Sequence, residues 1–268
     1  MKICLLEMDL AWASPENNIA EAQRLIASQP SADLYVLPEM WATGFIVEPQ
    51  SYIDDEGASL ALQWMKSTAC ERKCAISGSL AIKLSEDNSY RNRHYFVTPD
   101  NVTFYDKHHL FTHGGENRHY VAGESAVIVS WQGVRFLLQT CYDLRFPVFS
   151  RWGRAGEYDA IIYVANWPAS RQLAWDTLIR ARAIENQCYV VAVNRTGSDP
   201  FTDYEGGSCL IDPTGKVVDE ISMERLHKLR SHFQVLADRD LLIYNIDYDE
   251  GNDRKYCNGK ESPKAPFC

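Results

Sequence analysis

No run of about 18 or more apolar residues occurs in this 268-residue chain, which excludes a helical membrane span of ordinary length. Basic charge is scarce: 27 Lys and Arg stand against 36 Asp and Glu, a net charge of −9. That balance argues against a nucleic-acid surface or an anionic membrane as partner. It leaves a small acidic substrate open, which needs only one or two local arginines. No Gly-rich phosphate loop is present, and no cofactor is expected. No Gly-x-Ser-x-Gly elbow occurs, so a serine triad lacks its motif. No internal repeat and no linker rich in Gly, Pro or Ser divides the chain.

Cysteine is not scarce, but it is scattered. The eight cysteines are spread over a chain far longer than a disulfide-stapled mini-domain. Cys4, Cys188 and Cys209 lie in apolar runs and read as small buried hydrophobes. Cys70 and Cys74 have helical spacing, but no second pair with zinc-like spacing follows, so packing is the expected role and no metal is expected. The pattern suggests a reduced, cytoplasmic protein. At the N-terminus, Glu7 and Asp9 interrupt the apolar run MKICLLEMDL, which reads as a strand rather than a signal peptide.

The remaining 46% hydrophobic and 24% charged composition is ordinary globular composition, and the length suits one large α/β domain. Lys2–Leu10 reads as a strand. Pro15 opens a helix to Ser28 with Ile19, Ala22, Leu25 and Ile26 on one face. Asp33–Glu39 is an apolar strand ending at a proline and a carboxylate. A helix over Ser59–Cys74 leads to strands at Cys74–Leu84 and Arg91–Pro99, then to VTFYDKHHLF. From Ala126 the pattern starts again with a hairpin turning near Gly133. Helical Val148–Gly156, strand Ala160–Asn166, helix Ala174–Asn186 and strand Cys188–Arg195 follow. Gly206–Ile221 reads as two strands about a Pro213–Gly215 turn, and Met223–Phe233 as a last helix. Two strand–helix–strand halves meeting near residue 125 suggest a layered, pseudo-symmetric α/β domain. Residues 1–240 form this expected domain, and the polar stretch 241–268 reads as a tail with little regular structure.

Three reactive residues share one situation. Glu39 follows LYVLP, Lys107 follows VTFYD and Cys141 follows VRFLLQT, each at the end of an apolar strand. Ligands gather at strand ends in open α/β sheets. A thiol attacks as thiolate, a carboxylate takes and returns a proton, and an ammonium stabilises an oxyanion. That set suits acyl transfer from a carbon–nitrogen bond. Taken singly, each residue has a plainer reading: filler cysteine, capping glutamate, solvated lysine.

The sequence resembles the nitrilase, or carbon–nitrogen hydrolase, superfamily. The resemblance rests on LPEMWATGF, YDKHHLF, GGENRHYVAG, CYDLRFPVFSRW, NWPASR, ARAIENQCYVVAVNR and YEGGSCLIDPTG, which match in order over roughly residues 1–240. YDKHHLF, CYDLRFP and NWP look most like the omega-amidase branch. The resemblance implies a four-layer αββα sandwich, usually paired into a homodimer through helical faces. It also implies hydrolysis of the terminal amide of short 2-oxo-dicarboxylic acid monoamides. By resemblance Glu39 is the general base, Lys107 the oxyanion support and Cys141 the nucleophile, with the Tyr142 N–H as second oxyanion donor. Glu116 matches a further family glutamate expected to orient Lys107 or the substrate amide.

Arg145 and Arg171 are candidates to hold a substrate carboxylate, with structural salt bridges as the plainer reading. Trp167, Phe45 and Tyr142 are candidate pocket walls. His108, His109, His113 and His119 fall in loops and are expected at the pocket rim rather than on a metal. Val148–Trp152 and the Trp175–Ile184 helix are candidate dimer surfaces. In one respect the chain departs from the family pattern: VVDEI runs straight into SMERLHKLRSHF, where relatives carry a longer strand pair. The triad leaves a nitrile, an N-carbamoyl amino acid or another amide open as substrate. A non-catalytic binding scaffold and a thiol redox sensor are the readings of a different class.

Overall fold

The computed structural model describes residues 1–52 and 55–238. Met1–Leu236 form one compact unit, and of the second, Ala237–Cys268, the described residues include only the first two. The stretch 241–268, expected as a polar tail, lies outside the described residues.

The apolar strand runs assemble into two five-stranded sheets. The first has the order β1 (Ile3–Leu5), β2 (Leu34–Val36), β3 (Ala75–Lys83), β4 (Tyr90–Val97), β5 (Val102–Asp106). Its first three strands are parallel, and β3, β4 and β5 are antiparallel. The second sheet comprises β6 (Val127–Trp131), β7 (Val134–Thr140), β8 (Ala160–Ala165), β9 (Tyr189–Asn194) and β12 (Cys209–Ile211). There β7, β8 and β9 are parallel, with antiparallel β6 and β12 at the edges. A small ribbon pairs β10 (Thr196–Ser198) with β11 (Asp203–Glu205). Every residue of β8 and of β9 is buried, as parallel strands covered on both faces require.

Period-two alternation divides the apolar side chains into three layers. Phe136 and Leu138 of β7 face β2 and β4 through Val36 and Phe96, filling the space between the sheets. Leu137, with Ile161 and Tyr163, points the other way onto Trp175 and Ile179 of α3 (Gln172–Glu185). On the outer face of the first sheet, Tyr35 and Ile76 pack on Ala22 and Ile26 of α1 (Pro15–Ser28) and Met65 of α2 (Asp55–Arg72). The layers are therefore α, β, β and α, the expected αββα sandwich. The last helix, α4 (Met223–His232), is fastened by Arg230, which donates to Gln187 O, Asp159 and Tyr158 O.

Several expected elements are corrected. Val148–Gly156 is a chain of turns, not a helix, because Gly153 and Gly156 take φ of 89° and 106°. Beyond the Pro213–Gly215 turn the second strand shrinks to one bridge, Ile211 to Val217, and Glu220 bridges instead to Lys2. Lys2–Leu10 keeps a ladder only over Ile3–Leu5. The β6–β7 hairpin turns at Gln132 and Gly133, both at positive φ (46° and 80°), as a tight two-residue turn demands. On α3, Trp175 is buried inside the chain, so the outward face of that helix is Leu173, Asp176, Arg180 and Ile184.

Candidate active site

Glu39 lies three residues beyond β2, Lys107 directly follows β5, and Cys141 directly follows β7. The first two strands belong to one sheet and the third to the other, so the three side chains meet across the sandwich. Lys107 Nζ donates to Glu39 Oε1 at 2.8 Å and to Glu116 Oε2 at 2.8 Å. All three of these side chains are fully shielded from solvent. Glu116 is therefore no solvated loop carboxylate.

The glutamates are held by directed donors. Glu39 Oε1 also accepts from Asn92 Nδ2 (2.8 Å), and Glu39 Oε2 accepts from the Asn166 backbone N–H (2.9 Å). Glu116 accepts from Asn92 Nδ2 (3.0 Å) and from the Phe111 N–H (2.6 Å). The loop carrying Glu39 is pinned by Asn18 of α1, whose side chain donates to Ala42 O (2.8 Å).

Burial works against the Lys107 charge, but Glu116 and then Glu39 more than offset it, and the ammonium is held protonated above its ordinary range. Burial raises the Glu116 carboxyl, against the pull of Lys107. The Cys141 thiol is pushed well up, first by burial and then by the Glu39 charge, with Lys107 acting the other way. Resting Cys141 is a neutral thiol and needs a base to become thiolate.

Cys141 sits in the left-handed region at φ 43°, a conformation that costs a residue bearing Cβ of order 1–3 kcal/mol. Asp143 over-determines it. That buried carboxylate accepts from the Thr140 N–H (2.9 Å), Tyr105 OH (2.7 Å) and His109 N–H (3.0 Å). The turn Cys141–Arg145 begins here, and the first N–H groups of such a turn have no intrahelical acceptor. Cys141 Sγ is 4.0 Å from Asn166 O, so one residue touches both thiol and carboxylate.

Cys141 opens onto a cavity of about 810 Å³ whose walls include Tyr142, Phe45, Trp167, Arg145 and Arg171. Every wall and anchor candidate of the sequence analysis lies on this cavity. Neither arginine forms an ion pair among the described residues. Arg145 lies 5.0 Å above the Trp167 ring and Arg171 5.2 Å from the Phe111 ring. Of the four histidines only His113 reaches the cavity. His109 is drawn aside by Asp143 (2.8 Å) and stacks on Phe146, His108 is tied to Gly123 O, and His119 meets Gln50. Among the described residues no three His, Cys, Asp or Glu side chains are grouped to hold a metal ion. Asn92, Asn166 and Asp143 were missed. Asn166 alone carried a signal, since it too ends an apolar strand.

A thiol, two carboxylates and an ammonium lie together, buried beside a cavity, and their chemistry suits acyl transfer. Residues 3–231 match the family model for carbon–nitrogen hydrolases, and the chain belongs to that family. It is 40% identical to omega-amidase YafV of Escherichia coli K12 over 256 residues, covering 90% of this chain and 97% of that protein. It is 35% identical to the 2-oxoglutaramate amidase of Bacillus subtilis 168, covering 81% of this chain and 85% of that one. XC1258 of Xanthomonas campestris, a CN-hydrolase superfamily protein whose crystal structure has an arsenic adduct in the active site, superposes with a TM-score of 0.83. It is 35% identical, over 90% of this chain and 97% of the other. The likeness to an amidase from Nesterenkonia, at TM-score 0.74 and 21% identity, bears on the fold alone.

Proposed function

We propose that the protein is an omega-amidase that hydrolyses the terminal amide of short 2-oxo-dicarboxylic acid monoamides. The observation that carries this reading is the buried Glu39–Lys107–Glu116 bridge beside Cys141, on a cavity that also carries two arginines with no carboxylate partner among the described residues. Identity of 35–40% to omega-amidases and to a 2-oxoglutaramate amidase supports the substrate class.

In this reading the Cys141 proton passes to Glu39 and the thiolate attacks the amide carbon. The oxyanion is met by Lys107 and the Tyr142 N–H. Glu39 returns the proton to the nitrogen as the C–N bond breaks, and ammonia leaves. Glu39 then takes a proton from water, whose oxygen attacks the thioester. The carboxylic acid departs and the proton returns to Cys141. Glu116 shares Lys107 and fixes where its charge points. Arg145 or Arg171 binds the substrate carboxylate, against Trp167, Phe45 and Tyr142 as walls.

Residues 1–240 are the hydrolase domain in this proposal, a reading supported by the family match over 3–231. Exposed Leu173 and Ile184 on α3, with Val148 in the 148–156 turns, support a homodimer through this outer face, which sedimentation tests. Six free cysteines among the described residues support a cytoplasmic setting. No described helix is long and apolar enough to cross a membrane.

The test is ammonia release from 2-oxosuccinamate and 2-oxoglutaramate, beside an N-carbamoyl amino acid and a nitrile. Release from the 2-oxo amides that disappears in Cys141→Ala supports the proposal. Faster turnover of the carbamoyl compound or the nitrile moves the substrate elsewhere. Undiminished release by Cys141→Ala overturns the mechanism.

A further inference from the structure

Asn92 lies on β4 and is 1% exposed. It does not reach the cavity. Its amide nitrogen is 2.8 Å from Glu39 Oε1 and 3.0 Å from Glu116 Oε1. A primary amide has two N–H groups, and here each carboxylate receives one. We propose that Asn92 is the positioning residue that sets the proton balance of the carboxylate pair, keeping Glu39 free to accept the Cys141 proton.

The orientation of the amide follows from its neighbours. Ser79 Oγ accepts from the Met40 N–H at 2.8 Å, so its own hydrogen is available to Asn92 Oδ1, also at 2.8 Å. The hydroxyl donates to the oxygen end of the amide, which turns the nitrogen end toward the glutamates. The relay runs from the backbone of Met40, next to Glu39, through β3 and β4 and back to the Glu39 carboxylate. It is closed and buried throughout: Ser79 and Glu39 are both at 0% exposure.

Two carboxylates bridged by one ammonium leave one negative charge in excess in a dry site, and burial pushes the Glu116 carboxyl up. A proton on Glu39 blocks its service as base. The charged and titratable groups around Glu39 are Lys107, Glu116 and Cys141, with Tyr120 and Tyr204 beyond them. Each carboxylate has one Lys107 contact and one backbone N–H, from Asn166 or Phe111. The remaining donor to both is Asn92. An amide does not titrate here, and a bond it donates to a carboxylate favours the ionised form of that group; at Glu116 it works with Lys107 against burial. Replacing Asn92 takes that support from the pair.

This inference rests on the proposed cysteine chemistry, so the experiment reads the site with and without substrate. Alkylation of Cys141 by iodoacetamide, followed on the Cys141 peptide by mass spectrometry from pH 5 to 9, needs no substrate. Ammonia release from 2-oxoglutaramate is followed over the same range. Asn92→Ser removes the paired donors, and Ser79→Ala keeps Asn92 but frees its orientation. In Asn92→Ser the acid limb of alkylation moves up by about one pH unit, the size expected for one lost charge-assisted hydrogen bond. Ser79→Ala moves it the same way by less. In catalysis kcat falls about tenfold while KM stays within twofold, because Asn92 does not line the cavity. An unmoved acid limb in both folded variants overturns the proposal. So does a rise in KM with kcat unchanged. A wild type that releases no ammonia from any amide refutes the amidase reading alone, and the alkylation profiles still decide the role of Asn92.

Discussion

Asn166 holds Glu39 twice. Its backbone N–H donates to Oε2 at 2.9 Å, and its side-chain Nδ2 donates to the Glu39 main-chain oxygen at 2.8 Å. The two residues are 127 positions apart and follow strands of different sheets, β2 and β8. This contact locks the proposed base against the strand end that also faces Cys141.

Asn166→Ala keeps the backbone donor and removes the side-chain one. The loss of one buried hydrogen bond costs about 1 kcal/mol of stability and leaves the Glu39 main-chain oxygen unpaired. The expected outcome is a kcat lowered about tenfold, with a small fall in the urea midpoint. Steady-state ammonia release and urea unfolding check it. A kcat equal to wild type removes Asn166 from any positioning role.

Lys107→Met leaves Glu39 and Glu116 buried without their shared cation. Removing one partner of a buried pair costs about 3–5 kcal/mol. The carboxylates escape the penalty by binding protons, so the loss is larger at pH 7.5 than at pH 5. Urea unfolding at both pH values reads this. Turnover is abolished at either, since the oxyanion has lost its ammonium.

Arg145→Gln and Arg171→Gln separate the two anchor candidates. Substitution of the arginine that pairs with the substrate carboxylate raises KM for 2-oxoglutaramate about 10–100-fold, the worth of a charge-assisted contact. Substitution of the other changes KM less than about threefold. Parallel assays with an uncharged short amide should show no penalty at either position. Equal, small effects on both substrates mean that neither arginine is the anchor.

His94 provides a pH test away from the chemistry. Its Nδ1–H donates to Gln139 O (3.2 Å), and its Nε2 accepts from Ser77 Oγ (2.8 Å), joining the two sheets in the neutral form. Burial holds its pKa down to about 3, against an ordinary 6.5. Between those values the unfolded chain binds the proton and the folded chain does not. Stability is therefore full above about pH 6.5 and falls as pH drops toward 3, by up to about 1.4 kcal/mol per unit. His94→Gln should flatten the slope of unfolding free energy between pH 6.5 and 4.5 relative to wild type. Parallel slopes in the two proteins contradict it.

Local rules made most of the scaffold legible. Apolar runs located the longer strands, and α1 followed from the one-face spacing of Ile19, Ala22, Leu25 and Ile26. They failed at Val148–Gly156, where two glycines at positive φ outweigh an apolar pattern, and after Pro213, where a strand without a partner keeps one bridge. The first miss is local backbone conformation, and the second concerns what the chain meets in space.

The sequence by itself determined that Glu39, Lys107 and Cys141 each close an apolar strand, and that their chemistry suits a carbon–nitrogen bond. Only the tertiary structure decided that these ends converge, because β2 and β5 lie in one sheet and β7 in the other, and stacking order is a long-range property. It also decided that Glu116 is buried on Lys107, that Asn92 and Asn166 hold the carboxylates, and that three of four nearby histidines turn away. Each of these depends on a partner distant in the chain, and hydrogen bonding between buried groups is settled only when the packed layers exclude water and leave each donor one acceptor to find.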